Sequence, residues 1–223
     1  MSRNPYVADG LVAWWDGVWN AGLGVHDAAA TVWRDLVGDR QIVPADGVYF
    51  GADCMTFPAG AGLPGGTAPD VTSLNATQVE VVFAVDALNG ESANETLVLT
   101  IPDETARYGL AILGRGTFSY MTMTGGRVYT RYSLSGTTPA SISYTRSAHS
   151  SASGWRAWRD AAPLTVQREG TTIGTVSTLA VAGRSGAKRL IGRIHCIRLY
   201  NRALTDAEVA ANYAVDKERF GLP

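Results

Sequence analysis

A succession of short apolar segments separated by Gly, Pro and Asp clusters constrains this 223-residue chain more than any other feature. The clearest segment is TQVEVVFAV at 77–85, which is rich in the β-branched residues typical of buried strands. More than ten short strands with turns every 8–12 residues favour two packed antiparallel sheets. The predicted strands cover 6–19, 31–36, 47–57 (a pair), 77–85, 96–101, 108–113, 117–124, 127–133, 142–145, 154–160, 164–167, 172–176 and 179–181.

The end of the chain predicts one more strand, a turn and a short terminal α-helix over 205–220. Thr205 with Glu208 three residues later matches a capping box at a helix start. Val209, Tyr213 and Phe220 follow at roughly helical spacing and would share one face. Gly and Pro after position 220 are helix stop signals. We expect this helix to pack on the sandwich.

Two glycine-rich stretches, 20–30 and 59–69, predict loops. The second is the best candidate for a domain boundary. Strand signals of the same type resume directly after it, so we reject a boundary there. The sequence therefore predicts a single domain over 1–223.

Charge is distributed unevenly, although the net charge is −1. Residues 1–105 carry three basic and fourteen acidic side chains, whereas 106–198 carry thirteen basic and two acidic ones. Two explanations stay open. The two halves interleave and pair with each other, or the basic half faces an anionic glycan, a partner protein or nucleic acid.

No apolar run approaches the ~18 residues of a membrane helix, so no membrane span is predicted. The N-terminus also lacks the basic and apolar regions of a classical signal peptide. We therefore expect synthesis in the cytoplasm without such a signal.

The potential metal-ligating residues show no recognisable spacing. Cys54 and Cys196 match neither metal nor redox motifs, which favours two buried reduced thiols over a long-range disulfide. His26, His149 and His195 are far apart in sequence. His195 and Cys196 are neighbours, but adjacent strand residues face opposite ways. No metal site and no cofactor are predicted from the residues.

Segments near both ends resemble a known family. DGLVAWWDG at 9–17 and WRDLVGD at 33–39 resemble the opening of laminin-G-like, concanavalin A-like jelly-roll domains of bacteria and their phages. GRIHCIRLYNRALTDAEVAANY at 192–213 resembles that family's final strand and helix. VEVVFAVD at 79–86 and WRAWRDAAPL at 155–164 lie where the family has core strands. The resemblance implies an all-β, two-sheet antiparallel jelly-roll sandwich with a short C-terminal α-helix.

Two departures from the family bear on the site. Relatives often carry a glycine-containing hairpin where this chain has Trp158-Arg159-Asp160-Ala161. Relatives also often have acidic residues in the last strand, where this chain has His195 and Cys196. Calcium, which some laminin-G-like domains bind, is therefore an alternative implied by resemblance and supported by no motif.

Hydrolases of this fold place paired carboxylates on one strand face as Glu-x-Asp-x-x-Glu. No glutamate of this chain is followed two positions later by aspartate. The motifs Gly-x-Ser-x-Gly and His-Glu-x-x-His and the P-loop are also missing from the sequence. The sequence therefore predicts that the chain is not an enzyme. A glycoside hydrolase of the same fold is the least favoured alternative.

Binding is the remaining function class. Lectin sites combine an aromatic platform with amide or carboxylate acceptors. Core packing is the competing explanation for every aromatic residue. The predicted ligand-binding residues are the aromatics Trp19, Tyr108, Tyr129, Tyr132 and Trp158 and the polar residues Asp16, Asn20, Asn94 and Arg159.

A nucleic-acid partner is disfavoured. Arg127, Tyr129 and Arg131 alternate as they would on a strand that binds single-stranded nucleic acid. An exposed strand of any sandwich can show the same pattern, however.

The expected function is a carbohydrate-binding or surface-adhesion component of a phage virion, in a tail or head appendage. The alternative is a structural or decoration protein of the virion that acts through protein contacts. The expected partners are a glycan or another protein of the virion or cell surface, and a homo-oligomer is compatible with either. The expected location is the virion or a cell surface.

Overall fold

Alternating burial along the strands organises the chain into two antiparallel sheets that pack face to face, with one helix after the last strand. This confirms the predicted fold class. The computed structural model describes residues 4–62, 64–68, 71, 77–87, 95–102, 107–113, 117–121, 127–133, 139–145, 156–165, 167–169, 179–183 and 190–223. No helix in these ranges is long and apolar enough to cross a bilayer.

The first sheet is centred on its two longest strands, β7 (Gln78–Ala87) and β17 (Ile191–Tyr200), which pair with each other. Its order is β14-β13-β12-β7-β17-β5-β4, and β1 also pairs with β17. Its other strands are β1 (Leu11–Asp16), β4 (Tyr49–Phe50), β5 (Met55–Phe57), β12 (Ala140–Thr145), β13 (Ala157–Arg159) and β14 (Ala162–Leu164).

The second sheet runs in the order β15-β11-β10-β9-β8-β16-β6-β3-β2. Its strands are β2 (Trp33–Arg34), β3 (Gln41–Pro44), β6 (Gly66–Ala68), β8 (Glu95–Pro102), β9 (Arg107–Leu113), β10 (Thr117–Met121), β11 (Arg127–Ser133), β15 (Gln167–Glu169) and β16 (Leu179–Val181).

Both faces of the first sheet are buried. Trp15 points into the core between the sheets, together with Phe83 and Ile197. Its neighbour Trp14 points to the opposite face, because side chains alternate along a strand, and packs in a second core beneath the terminal helix. The first sheet is therefore the central layer of the molecule.

The terminal helix, α1 (Asp206–Phe220), follows the sequence-based prediction closely. Thr205 and Glu208 form the predicted capping box, and Gly221 ends the helix in the left-handed conformation with φ of 64°. Val209 and Phe220 are buried against the first sheet, and Tyr213 is half-buried. That the whole chain is one domain remains a prediction.

Several strands differ from the sequence-based prediction. The first predicted strand is shorter, and β3 and β15 were missed. β6 lies in the stretch 59–69 that was predicted to be a loop, because its Gly-Thr-Ala sequence has low strand propensity. It is held by pairing with β3 and β16 on both sides, and a Cβ on Gly66 would come within 2.7 Å of Ile42. The predicted strand 172–176 lies outside the described residues.

The hairpin between β13 and β14 turns without glycine, although Asp160 and Ala161 have φ of 49° and 61°. Asp160 accepts a hydrogen bond from the Ser141 backbone N–H at 2.9 Å, which helps to hold this strained turn.

Glu208 should make the stability of the protein depend on acid pH. Hydrogen bonds from Arg202 and Thr205 lower the pKa of this carboxyl group to about 2. Because its pKa in the unfolded chain is about 4.3, the ionised form stabilises the native state above about pH 4, and this contribution is lost as the pH falls towards about 2. We expect the free energy of unfolding, measured in urea, to fall less between about pH 4 and about pH 2 in a Glu208→Gln variant than in the wild type. Equal pH dependence of the unfolding free energy in the variant and the wild type would contradict this expectation. Glu218→Gln, on the exposed side of the helix, is the control and should keep the pH dependence of the wild type.

Candidate functional site

A β-bulge in β17 sets the geometry of the candidate site. Ile194 pairs with Phe83 and Cys196 with the adjacent Val82, so His195 is an extra residue without a partner on β7. The bulge interrupts the alternation of the strand. The His195 ring lies 5.5 Å from the ring of Phe220, and Cys196 packs in the core beneath the helix with Phe220. His195 and Cys196 therefore both face α1, which corrects the expectation that they point in opposite directions.

The turn between β4 and β5 brings Asp53 and Cys54 to this bulge. β5 pairs with β17 so that Met55 lies opposite Ile194, which places Cys54 beside His195. The Asp53 Oδ2 atom is 3.3 Å from His195 Nδ1. One ligand atom from each of Asp53, Cys54 and His195 lies within 4.8 Å of the other two. These three residues are called the bulge triad below.

The members of the bulge triad differ in exposure. The side chains of His195 and Asp53 are 2% and 41% exposed, respectively. Contact with the His195 imidazole lowers the pKa of the Asp53 carboxyl group. Burial raises the pKa of the Cys54 thiol, against a weaker opposing effect of the Thr56 hydroxyl at 3.6 Å. The triad thus joins a carboxylate, a neutral thiol and a buried imidazole.

The end of β1 lies directly beside the bulge triad. The Gly17 backbone N–H donates to the His195 carbonyl oxygen at 2.8 Å, and a Cβ on Gly17 would come within 2.2 Å of the Asp53 carbonyl oxygen. Only glycine fits this close approach of two backbones. The β1 end, the β4–β5 turn and the bulge of β17 are therefore packed together.

At the end of β1, Asp16 and Trp19, both predicted to bind ligand, come together around Arg219 of α1. The Asp16 carboxylate is fully buried and accepts hydrogen bonds from the Trp19 backbone N–H at 3.2 Å and from Arg219 at 2.8 Å. Burial raises the pKa of Asp16, and Arg219 opposes that shift. The Arg219 guanidinium lies 4.2 Å from the centre of the half-buried Trp19 ring, a cation–π contact.

Asn20, also predicted to bind ligand, closes the loop that follows β1. Its amide accepts from the Asp27 backbone N–H at 2.8 Å and donates to the Asp27 carbonyl at 2.7 Å. Within this loop Leu23 and Val25 are 44% and 53% exposed. His26 Nδ1 lies 3.2 Å from the Gly17 carbonyl oxygen and connects the loop to the bulge region. Residues 19–27 are called the β1 loop below.

The structure places other predicted site residues elsewhere. Trp158, on β13, is 1% exposed and donates from Nε1 to Asp206 at 3.0 Å. Arg159, on the same strand, pairs with Asp160 at 2.9 Å. Trp158 belongs to the core beneath α1, against which Trp19 also packs.

The tyrosines among the predicted site residues have backbones in the second sheet. Tyr108 lies on β9, and Tyr129 and Tyr132 lie on β11. Their side chains, and Asn94 entirely, lie outside the described part of the structure. Ligand contact by any of the nine predicted residues stays a prediction.

A second polar cluster, missed by sequence reasoning, lies beneath α1. Arg198 is fully buried and contacts Asp216 at 2.6 Å through both terminal nitrogens and Glu80 at 2.8 Å. Asn212 donates to Glu80 at 2.7 Å, and the Arg198 guanidinium lies 4.0 Å from the centre of the Tyr6 ring. This cluster is sealed from solvent and joins the helix to the sheet, so we assign it to the fold.

The buried cluster also bears on the uneven charge distribution. The pairs Glu80–Arg198 and Asp86–Arg193 each join an acidic residue of 1–105 to a basic residue of 106–198. Pairing between interleaved halves therefore accounts for these charges.

Solved structures with the same fold include proteins in complex with sugars. A sialidase of Trypanosoma rangeli in complex with sialic acid matches 98% of this chain with a TM-score of 0.71 and 17% identity. The match covers 34% of the sialidase chain, so this chain spans about a third of that protein. No protein-family model matches the sequence, and the search of curated proteins found no match.

Two further structures share the fold. Domain 4 of an extracellular arabinanase from Geobacillus stearothermophilus, in complex with arabinotriose, matches with a TM-score of 0.58 and 13% identity over 90% of this chain and 96% of that domain. The binding domain of botulinum neurotoxin serotype D has a TM-score of 0.66 and 10% identity over 96% of this chain and 55% of its own.

The prediction that this chain is not an enzyme is contradicted by the sialidase matches, because this fold also occurs in the chains of enzymes. The Glu-x-Asp-x-x-Glu pattern is limited to glycosidases with paired carboxylates, and glycosidases exist whose nucleophile is not a carboxylate. At these identities the comparisons establish the fold, a β-sandwich of the jelly-roll type that the sequence resemblance implied.

Proposed function

We propose that this chain binds carbohydrate at the β1 loop. The observation that carries the proposal is the match, over nearly the full length of both chains, to an arabinanase domain whose structure contains arabinotriose. A sialidase that shares the fold is likewise in complex with a sugar. Carbohydrate is therefore the ligand class on which these neighbours agree.

The surface of the β1 loop suits a sugar. Sugars present apolar C–H faces and polar hydroxyl groups, so their sites combine apolar contacts with hydrogen-bonding groups. The loop offers exposed Leu23 and Val25 beside the exposed polar side chains of His26 and Asp27. The hydrogen bonds of Asn20 hold this surface in shape before a ligand arrives, which limits the entropic cost of binding.

Changing Leu23 and Val25 together to serine should weaken glycan binding by about tenfold, the equivalent of about 1.4 kcal/mol. Both side chains are exposed, so the variant should fold normally. A glycan array identifies the ligand, and calorimetry with the best glycan measures the affinity. Tyr49→Ala is the matched control, because Tyr49 is 55% exposed but lies outside the β1 loop on β4.

Two outcomes would contradict this placement. Normal affinity in the Leu23/Val25 variant, with loss in a Tyr129→Ala variant, would move the site to the second sheet. Failure of the wild-type chain to bind any glycan, with a stable oligomer by light scattering, would favour the alternative of a structural or decoration protein.

We further propose that the protein acts on a phage virion or a cell surface. This setting is supported by the resemblance of residues 9–17 and 192–213 to domains of bacteria and their phages. Recovery of the chain from purified virions by mass spectrometry tests it. A gene located away from phage structural genes would contradict the virion setting and leave the cell surface.

A further inference from the structure

We propose that the bulge triad of Asp53, Cys54 and His195 is a binding site for a zinc-like divalent cation. The three residues come from two elements that are distant in sequence, and their ligand atoms converge within 4.8 Å. All three residues lie outside the β1 loop, so the site does not depend on the proposed glycan surface.

The spacing of the ligand atoms fits tetrahedral coordination. Zn–S bonds of about 2.3 Å and Zn–N or Zn–O bonds of about 2.0–2.2 Å place tetrahedral ligand atoms about 3.3–3.6 Å apart. The distance from Asp53 Oδ2 to His195 Nδ1 is 3.3 Å, which already matches this value. The other pairs lie within 4.8 Å, so they need to approach by at most about 1.5 Å.

His195 supplies an independent indication of a ligand. Its side chain is 2% exposed, and among the described residues neither ring nitrogen has a hydrogen-bond partner. The contact of Nδ1 with Asp53 Oδ2, at 3.3 Å, is longer than the usual N–H···O hydrogen bond of about 2.7–3.2 Å. Leaving a buried polar group unpaired costs about 1–3 kcal/mol, and coordination of a metal by a ring nitrogen would remove part of that cost.

The donor set selects the metal. A thiolate and an imidazole suit zinc and similar borderline-soft ions, whereas calcium takes six to eight oxygen ligands. Three protein ligands leave a fourth tetrahedral position open. Asp53 is 41% exposed, so solvent reaches this side of the triad and water can occupy that position. Binding converts the Cys54 thiol to a thiolate and releases its proton to solvent.

The surrounding backbone holds the triad in place. Contact between Gly17 and the Asp53 carbonyl leaves no room for a Cβ, and the Gly17 N–H binds the His195 carbonyl at 2.8 Å. The bulge directs His195 towards the β4–β5 turn. Ligands fixed by their supporting backbone bind metal without the cost of ordering them.

The test is a metal titration of the full chain, freed of any affinity tag, treated with chelator and kept reduced. Addition of Co²⁺ should produce a thiolate-to-cobalt charge-transfer band that saturates at one equivalent, and Zn²⁺ should abolish it. A large excess of Ca²⁺ should leave it unchanged. Absence of the band, or saturation without thiolate character, would overturn the proposal.

The chain offers matched controls for the ligand assignment. Cys54→Ser, His195→Gln and Asp53→Asn should each weaken Zn²⁺ binding at least about tenfold. Cys196→Ala and His26→Gln, which change a cysteine and a histidine outside the triad, should retain it. Equal binding in the two sets would refute the site.

If the substituted variants fail to fold, an alkylation experiment on the wild-type protein tests the site instead. Bound Zn²⁺ should slow alkylation of Cys54 in the wild-type protein, as followed by peptide mass spectrometry. Equal rates with and without Zn²⁺ would refute the proposal.

Discussion

An Asp216→Ala variant is expected to lose about 3–5 kcal/mol in its free energy of unfolding. Asp216 and Arg198 are both fully buried and share two hydrogen bonds of 2.6 Å. The substitution leaves the Arg198 guanidinium in the same enclosed position with one of its two carboxylate partners removed. Chemical denaturation of the purified variant and the wild type measures the difference.

The remaining contacts of Arg198 do not compensate for this loss. Glu80 lies 2.8 Å away, but burial raises the pKa of Glu80, and the attraction of Arg198 offsets that shift only in part. Burial lowers the pKa of Arg198. Among the groups that raise this pKa, Asp216 has the largest effect. Asp216 is therefore the partner whose removal should cost most.

Two controls separate this effect from general damage to the helix. Glu218→Ala, on the exposed side of α1, should change stability by less than about 0.5 kcal/mol. A combined Glu80→Gln, Arg198→Met, Asp216→Leu variant should recover much of the loss, because apolar replacement of buried ions is often neutral or stabilising. A cost below about 1 kcal/mol for Asp216→Ala alone would show that the cluster is not a stabilising feature.

One of the two longest strands, β7, and the terminal helix could be predicted because their signals are local. β7 follows from its β-branched run, and α1 follows from a capping box that satisfies backbone groups within its own first turn. β6 could not be predicted in this way. Its Gly-Thr-Ala sequence becomes a strand only because partners on both sides hydrogen-bond to it.

The bulge triad could not be predicted, because it depends on register. Asp53 and Cys54 meet His195 only through the pairing of β5 with β17 and through one extra residue in β17. A slip of one residue in either strand would separate them. The predicted acceptor Asp16 illustrates the same limit, since it binds Arg219, which lies 203 positions away in sequence.

Deletion of 205–223 should abolish cooperative folding. The truncation removes Val209, Phe220 and Leu222, which are all buried against the outer face of the first sheet. Loss of these three apolar side chains costs about 2 kcal/mol each. The deletion also removes Asp216, the partner of buried Arg198, at a further cost of about 3–5 kcal/mol. The total approaches the whole stability of a typical domain, about 5–15 kcal/mol.

Loss of the helix should therefore produce a chain that is insoluble or that unfolds without a cooperative transition, as judged by gel filtration and thermal circular dichroism. The comparison is Thr205→Ala, which removes the N-cap but keeps the helix, and which should cost only about 1 kcal/mol. Addition of a synthetic 205–223 peptide to the truncated chain should restore folding, because the same apolar face and the Asp216 carboxylate return to the sheet. A truncated chain that stays monomeric and melts cooperatively would show that the first sheet does not need its helical cover.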